Sequence, residues 1–410
     1  MDNAKKVSGG VCAPKGFVAG GVHCGIRAKS KKLDLALLYS EKPCTAAAMF
    51  TTNKVKSACV LVSQEHVSGG VLRAVIANSG NANACTGEVG LASARKMATL
   101  ASGLFGIGPK EVAVASTGVI GVPLPMEPIE SGMASLRDSL RSDEEGHLTA
   151  LEAIMTTDIR KKDGSVEISI EGKSVKIGGM LKGSGMIHPN MATMLCFITT
   201  DAAISREALD ACLRSAVRRS FNRVSVDGDT STNDMVIIMA NGEAGNSPIK
   251  AGTPGYEIFA QALEGFCVDL ARQLARDGEG ATKLVTVTVQ GARDENAAET
   301  LVKSVVSSSL VKAACFGADA NWGRILCAMG YSGADFNPDE VDVSFASEGE
   351  EIAVCQGGAS LEFSEEDAKR ILKREEIEIR IKAGKGSGGA TAWGCDLTYD
   401  YVKINGDYRS

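Results

Sequence analysis

A hydroxyl becomes a nucleophile only where a base can take its proton and a rigid support can aim it. In this chain of 410 residues the place to look is Lys182-Gly-Ser-Gly-Met-Ile-His-Pro-Asn-Met-Ala-Thr-Met-Leu195. Its first half has a loop's composition, with two glycines followed by His188-Pro189-Asn190, a turn-initiating tripeptide. Its second half runs into Leu195-Cys-Phe-Ile-Thr-Thr200, an apolar, partly β-branched run that reads as a buried strand. Thr193 therefore stands where a flexible loop becomes core. No Gly-x-Ser-x-Gly elbow is present, and the nearest side-chain base is His188, five residues back across a proline. Threonine supplies its own base if the bond before it breaks. The freed α-amine has an unperturbed pKa of about 7.7–8.0, so a neutral fraction exists near pH 7. Ala192-Thr193 suits such a break, with a small residue before, a hydroxyl after and a loop upstream. On residue chemistry alone the plain alternative stays open, a β-former whose hydroxyl bonds the backbone.

The elements that must position this loop follow from periodicity. In the first half of the chain, 33–39, 72–77 and 112–117 read as strands and 90–101 as a helix. The strand ending at Ser116 leads into Thr117-Gly118, whose backbone amides can face a developing negative charge or simply make a turn. A helix over 146–159 ends near Met155-Thr-Thr-Asp158, and a hairpin of 165–170 and 174–177 delivers the chain to the loop. After 195–200 come a helix from Ser205, the polar loop Asp227-Gly-Asp-Thr-Ser-Thr-Asn-Asp234, a strand over 235–239 and a long helix over 256–276. The polar loop is expected to pack around Thr193. Past 284 a second unit is expected, with a strand at 285–289, a helix at 298–314, strands within 341–355, a helix at 364–373 and strands at 377–381 and 391–402.

Three motifs mislead. Gly172-Lys-Ser174 lacks the glycine at 167 that a phosphate loop needs and precedes a strand. The acidic loop at 227–234 lacks the spacing of a calcium-binding EF-hand. Gly384-Lys-Gly-Ser-Gly-Gly389 matches a dinucleotide fingerprint, but a strand follows it, so a flexible hairpin connection is expected.

Bulk properties narrow the class. With 44% hydrophobic residues and net charge −6, the chain reads as an ordinary globular protein without a nucleic-acid surface. No apolar leader or membrane-length run is present, so a cytoplasmic location is expected. The twelve cysteines are scattered without a Cys-x-x-Cys, and the four histidines are not paired at ligand spacing. Buried free thiols and no metal site are expected.

The loop around Thr193 resembles the signature of the ornithine acetyltransferases (glutamate N-acetyltransferases). So do Ala13-Pro-Lys-Gly-Phe17, Ala77-Asn-Ser-Gly-Asn-Ala-Asn-Ala-Cys-Thr-Gly87, Ser116-Thr-Gly-Val-Ile-Gly121, 225–234, Gly278-Glu-Gly-Ala-Thr-Lys283 and Lys403-Ile-Asn-Gly-Asp-Tyr-Arg-Ser410. The resemblance covers the whole chain in order. It implies an α+β, layered αββα sandwich over 1–283 with a smaller C-terminal α/β domain over 284–410. It also implies self-cleavage between Ala192 and Thr193 into an α chain of 1–192 and a β chain of 193–410, assembled as two of each.

The implied activity is cofactor-free, two-stage transfer of acetyl from N2-acetylornithine to glutamate through an acetyl-threonine ester, yielding ornithine and N-acetylglutamate. Whether acetyl-CoA also serves as donor is left open. Thr193 is the implied nucleophile, Thr117 and Gly118 the oxyanion hole, and Thr156, Lys182, Thr193, Glu279, Asn405 and Ser410 the substrate contacts. Lys182 suits a carboxylate and Glu279 an ammonium. The ending departs from the family pattern, with Ser410 for the usual threonine and Gly406 for the common alanine. Two alternatives remain: a hydrolase with the same kind of nucleophile, and a non-catalytic amino-acid-binding protein.

Overall fold

The computed structural model describes residues 4–188 and 194–407. Ala192, Thr193 and Ser410 lie outside them. The chain forms two compact units, neither of them one continuous stretch.

The first unit comprises Met1–Gly183, Asn190–Arg219 and Thr230–Leu270. It is built on a mixed nine-stranded sheet. In spatial order its strands are Lys5–Lys6, Lys162–Ile170, Lys173–Lys182, Leu195–Thr200, Met235–Ala240, Leu35–Phe50, Val71–Asn81 and Val112–Val119, with Phe17–Val22 also pairing with Leu35–Phe50. The long strand Leu35–Phe50 organises it. Its register breaks between Tyr39 and Cys44, where Glu41, Lys42 and Pro43 are exposed and proline offers no ladder donor. Before the break it pairs with Phe17–Val22, and after it with Met235–Ala240.

Helices cover this sheet. Helix Glu144–Ile154 starts at Asp143, whose carboxylate accepts from Gly146 N at 3.1 Å. It packs on Phe17–Val22 so closely that a Cβ on Gly21 would lie 2.2 Å from Thr149 O. The hairpin expected at 165–170 and 174–177 runs further both ways, pairing Lys162 with Leu181.

The second unit comprises Ser184–Pro189, Ser220–Asp229 and Ala271–Ser410. Its seven strands, in spatial order, are Ala359–Ser360, Glu350–Gln356, Val341–Ser347, Glu376–Ala383, Leu284–Ala292, Gly388–Cys395 and Val224–Ser225. Three expectations need correcting here. The helix read over 298–314 is two, Glu295–Ser307 and Ser309–Gly317. Ser308 leaves helical angles and caps the second helix, accepting from Val311 N. The strand read over 391–402 stops at Cys395, and Thr398 caps a helix over Tyr399–Gly406.

The third correction concerns Gly384–Gly389, which is no hairpin: the strands on either side both pair with Leu284–Ala292 instead of with each other. The run crosses the end of that strand backbone to backbone, with Gly386 N bonded to Gly291 O at 2.8 Å. A Cβ on Gly386 would sit 2.1 Å from Ala292 O, so close approach explains these glycines without a phosphate.

Mixed sheets covered by helices, in the αββα layering that the resemblance implies, are the class of this fold. Nine of the twelve thiols are buried and all are free. Among the described residues no helix is long and apolar enough to cross a membrane.

Candidate active site

Lys182 ends the strand Lys173–Lys182 and is buried. Its ammonium donates to Thr156 Oγ1 at 2.7 Å and to Thr117 Oγ1 at 3.3 Å. The structure thus gathers three of the residues singled out in the sequence, from a strand end, a loop after a helix and a second strand. What holds them is Asp158. Its Oδ1 accepts from Gly183 N at 2.7 Å and pairs with Lys162 Nζ at 2.8 Å. Its Oδ2 accepts from Thr156 N at 2.8 Å and lies 3.9 Å from Lys182 Nζ. Burial alone would raise the proton affinity of this carboxyl. Lys182, Lys162 and the backbone amides outweigh it and hold Asp158 well below the usual carboxylate range.

Thr117 and Gly118 lie near the end of Val112–Val119, parallel to Val71–Asn81 with Gly118 opposite Gly80. Gly118 has φ +134°, and a Cβ there would lie 2.3 Å from the carbonyl carbon of Gly80. Only glycine fits this strand end. Around it runs a buried amide network. Ser116 Oγ donates to Asn78 Oδ1 at 2.7 Å, Asn78 Nδ2 to Asn81 O at 2.9 Å, and Asn233 Nδ2 to Ser116 O at 2.8 Å.

The polar loop at 227–234 does two jobs. In the first unit, Asp234 Oδ1 accepts from Met194 N at 2.9 Å, so the residue next to Thr193 is tied down. In the second, Asp227 accepts from Met186 N at 2.5 Å and Ile187 N at 2.8 Å. That half of the expectation that names Thr193 itself lies outside the described residues, as do the assignments to Ala192 and Ser410.

The second unit brings Glu279 and Asn405 together. Asn405 Nδ2 donates to Glu279 Oε2 at 2.8 Å, and the buried Glu279 carboxylate lies over Gly185, where a Cβ would be 2.3 Å from Oε2. Gly280, at φ +69°, makes room for the helix Tyr399–Gly406, a Cβ there lying 2.6 Å from Tyr401 N. His188 Nδ1 lies 3.1 Å from Ser225 Oγ and 3.3 Å from Ser307 Oγ. Burial, then Lys303 and Lys312, lower its proton affinity and favour the neutral ring.

Sequence reading passed over Asp158, Lys162 and Asn233 as site residues. Asp158 had a local signal, a carboxylate two residues past a loop threonine, where it can take that threonine's own amide.

A glycine-opened strand end, two threonine hydroxyls and a buried lysine beside a carboxylate suit the chemistry of an acyltransferase on an α+β fold. The comparisons with known proteins place the chain within that class. The ArgJ family profile matches residues 18–410. The arginine biosynthesis bifunctional protein ArgJ of Symbiobacterium thermophilum is 51% identical over 405 residues, covering 98% of this chain and 99% of its own. Its namesake in Bacillus subtilis is 48% identical over 410 residues, covering 100% of this chain and 98% of its own. A crystal structure of ArgJ from Bacillus halodurans is 47% identical, covers 51% of this chain and 97% of that one, and gives a TM-score of 0.49. The chain belongs to the ArgJ family, and with it to the acyltransferases of arginine biosynthesis.

Proposed function

We propose that this enzyme moves the acetyl group of N2-acetylornithine to glutamate through Thr193. The single observation that carries the reading is the meeting of Lys182 with Thr117 and Thr156 at the Gly118 strand end. The chain first breaks itself between Ala192 and Thr193, giving chains 1–192 and 193–410. The freed amine of Thr193 then takes the hydroxyl proton as the oxygen attacks the acetyl carbonyl. Thr117 and Gly118 stabilise the oxyanion, ornithine leaves with the proton on its amine, and an acetyl ester remains on Thr193. The amine of glutamate attacks that ester and leaves as N-acetylglutamate, restoring the hydroxyl.

No cofactor enters. Thr156, Lys182, Glu279, Asn405 and Ser410 bind the two amino acids, with Lys182 for a carboxylate and Glu279 for an ammonium. The curated relatives are named bifunctional, which favours acetyl-CoA as a second donor. The reading includes two α and two β chains, a catalytic part over 1–283 with a smaller domain over 284–410, and a cytoplasmic location.

Intact mass and a donor assay test it together. Purified protein is expected as two fragments meeting at Ala192/Thr193, and the Thr193→Ala variant as one inactive chain. Glutamate supplied with N2-acetylornithine or with acetyl-CoA is expected to yield N-acetylglutamate from each. An unbroken chain with full transfer activity overturns the proposal, and release of acetate in place of N-acetylglutamate makes the protein a hydrolase.

A further inference from the structure

The motif at 225–234 contributes two consecutive buried side chains that the reaction just described does not use, Asn233 and Asp234. Asn233 Nδ2 donates to Ala82 O at 2.6 Å and to Ser116 O at 2.8 Å, bridging the loop after one strand and the end of the next. Its Oδ1 is occupied by the Thr232 hydroxyl at 2.6 Å, so both ends of the amide are fixed. Ser116 C=O and Thr117 N–H belong to one planar trans peptide unit. Pinning the carbonyl therefore aims the Thr117 amide the opposite way.

Asp234 does the matching task at the start of Leu195–Thr200, which three other strands separate from Val112–Val119 in the sheet. The parallel ladder between Leu195–Thr200 and Met235–Ala240 begins with Met235 N donating to Met194 O at 3.0 Å. One rung earlier the Asp234 side chain takes the Met194 amide, with Oδ1 accepting from Met194 N at 2.9 Å. That amide belongs to the peptide unit Met194 shares with residue 193. The backbone carbonyl of Asp234 accepts from Thr51 N at 3.0 Å, so the residue is held from both sides.

We propose that Asn233 and Asp234 form a positioning pair that sets the spacing between the strand end at Thr117 and the strand Leu195–Thr200, which follows Thr193 in the chain. The inference rests on the roles given to Thr117 and Thr193 above. One dipeptide grips both peptide planes, so any slip of one strand against the other breaks a buried hydrogen bond. Misplacement of a reacting group by about 1 Å can cost about a hundredfold in rate.

The carboxyl is suited to holding without acting. Asp234 is fully enclosed, and its Oδ2 carries no hydrogen bond among the described residues. Burial outweighs the Met194 amide, the Thr51 and Ser231 hydroxyls and Lys182, and pushes its proton affinity well up. The amide of an asparagine is nearly the same shape and still offers an acceptor at Oδ1.

The test compares Asp234→Asn, Asp234→Ala and Asn233→Leu with the natural enzyme. It measures chain break by intact mass, steady-state acetyl transfer, and amide hydrogen exchange over 112–118 and 194–200. Asp234→Asn is expected to rescue the site, with kcat within about threefold of the natural enzyme. Asp234→Ala and Asn233→Leu should lose at least tenfold in kcat with KM within about threefold, and their amides in both segments should exchange faster.

Folded Asp234→Ala and Asn233→Leu proteins with unchanged kcat overturn the proposal. So does an Asp234→Asn enzyme as impaired as Asp234→Ala, which would make the carboxyl a chemical participant. If the two harsher variants fail to fold, the isosteric Asp234→Asn decides alone. If the natural protein neither breaks nor transfers, the reaction reading fails instead. Exchange then decides the positioning claim, and rates unchanged in Asp234→Asn and faster in Asp234→Ala support it while equal rates in both overturn it.

Discussion

Two carboxyl groups of the first unit are both buried, and their proton affinities are pushed in opposite directions. Asp158 faces two lysine ammonium groups and two backbone amides, all within 3.9 Å, and stays an anion. Asp234 has one backbone amide on Oδ1, with the Thr51 and Ser231 hydroxyls and a single lysine as its other favourable neighbours, and burial outweighs them and raises its proton affinity. Lys182 exerts a field on both, so proximity to that one cation does not separate them. Burial penalises either charge alike; the second ammonium, Lys162 at 2.8 Å from Asp158, decides which carboxyl overcomes it. The difference suits an acyl-transfer site. Asp158 compensates two buried lysines and braces Lys182, the one proposed to bind substrate. With the oxyanion proposed at Thr117, a second fixed anion near it would oppose that charge, and the raised proton affinity of Asp234 works against one.

The largest effect should come from breaking the charged side. Asp158→Ala leaves Lys162 and Lys182 buried without their carboxylate, and a broken buried pair costs about 3–5 kcal/mol. Urea unfolding should show it, and a loss below about 1 kcal/mol would mean that water already screens the cluster. Gly118→Ala comes next. A Cβ there collides with Gly80 and forces the strand end off its φ of +134°. Transfer should fall by about 10²–10³ in kcat, the range for a lost oxyanion donor, in protein that still cleaves and folds. Unchanged kcat would remove Gly118 from the reaction. Lys182→Met should be milder still. It removes one charged hydrogen-bonding group, worth about 1.5–3 kcal/mol, and should appear in KM for both amino acids before kcat.

How much of this contrast was legible in the sequence depends on the distance between partners. Lys182, Thr117 and Thr156 stood in recognisable motifs, and the strand over 195–200 was plain from its apolar run. The hub that unites them was not. Lys162 reaches Asp158 because the hairpin pairs Lys162 with Leu181, beside Lys182. Gly164, Gly178 and Gly179 interrupt the alternation that would have revealed a hairpin so long. Asn233 read as one more polar loop residue, since its acceptors, Ser116 O and Ala82 O, are 117 and 151 residues away. The run at 384–389 failed for a different reason. Its glycines answer to a neighbouring backbone, and composition cannot distinguish that from flexibility or from a ligand. Local chemistry was readable; the packing that selects among its meanings was not.

The smallest predicted effect gives the sharpest form of the comparison, because its sign reverses between the two carboxyls. Asp158 has a depressed proton affinity in the fold, so its stabilisation is present above the unfolded value of about 3.9 and is lost as pH falls toward its folded pKa. Asp234 has a raised one. Its favourable contribution is complete below about pH 3.9 and is lost as pH rises through its folded pKa. Asp234→Asn removes that loss. Relative to the parent, the variant should therefore gain stability with rising pH, by at most about 1.4 kcal/mol per pH unit. Asp158→Asn should instead fall furthest behind the parent near neutrality and close the gap only in strong acid. Urea melts at pH 2 to 8 in the Thr193→Ala background keep each molecule a single chain and report both slopes, that of Asp158 below pH 4 and that of Asp234 above it. A gap between Asp234→Asn and its parent that stays constant with pH would show that Asp234 is ionised after all. The contrast between the two sides of the site would then reduce to burial alone.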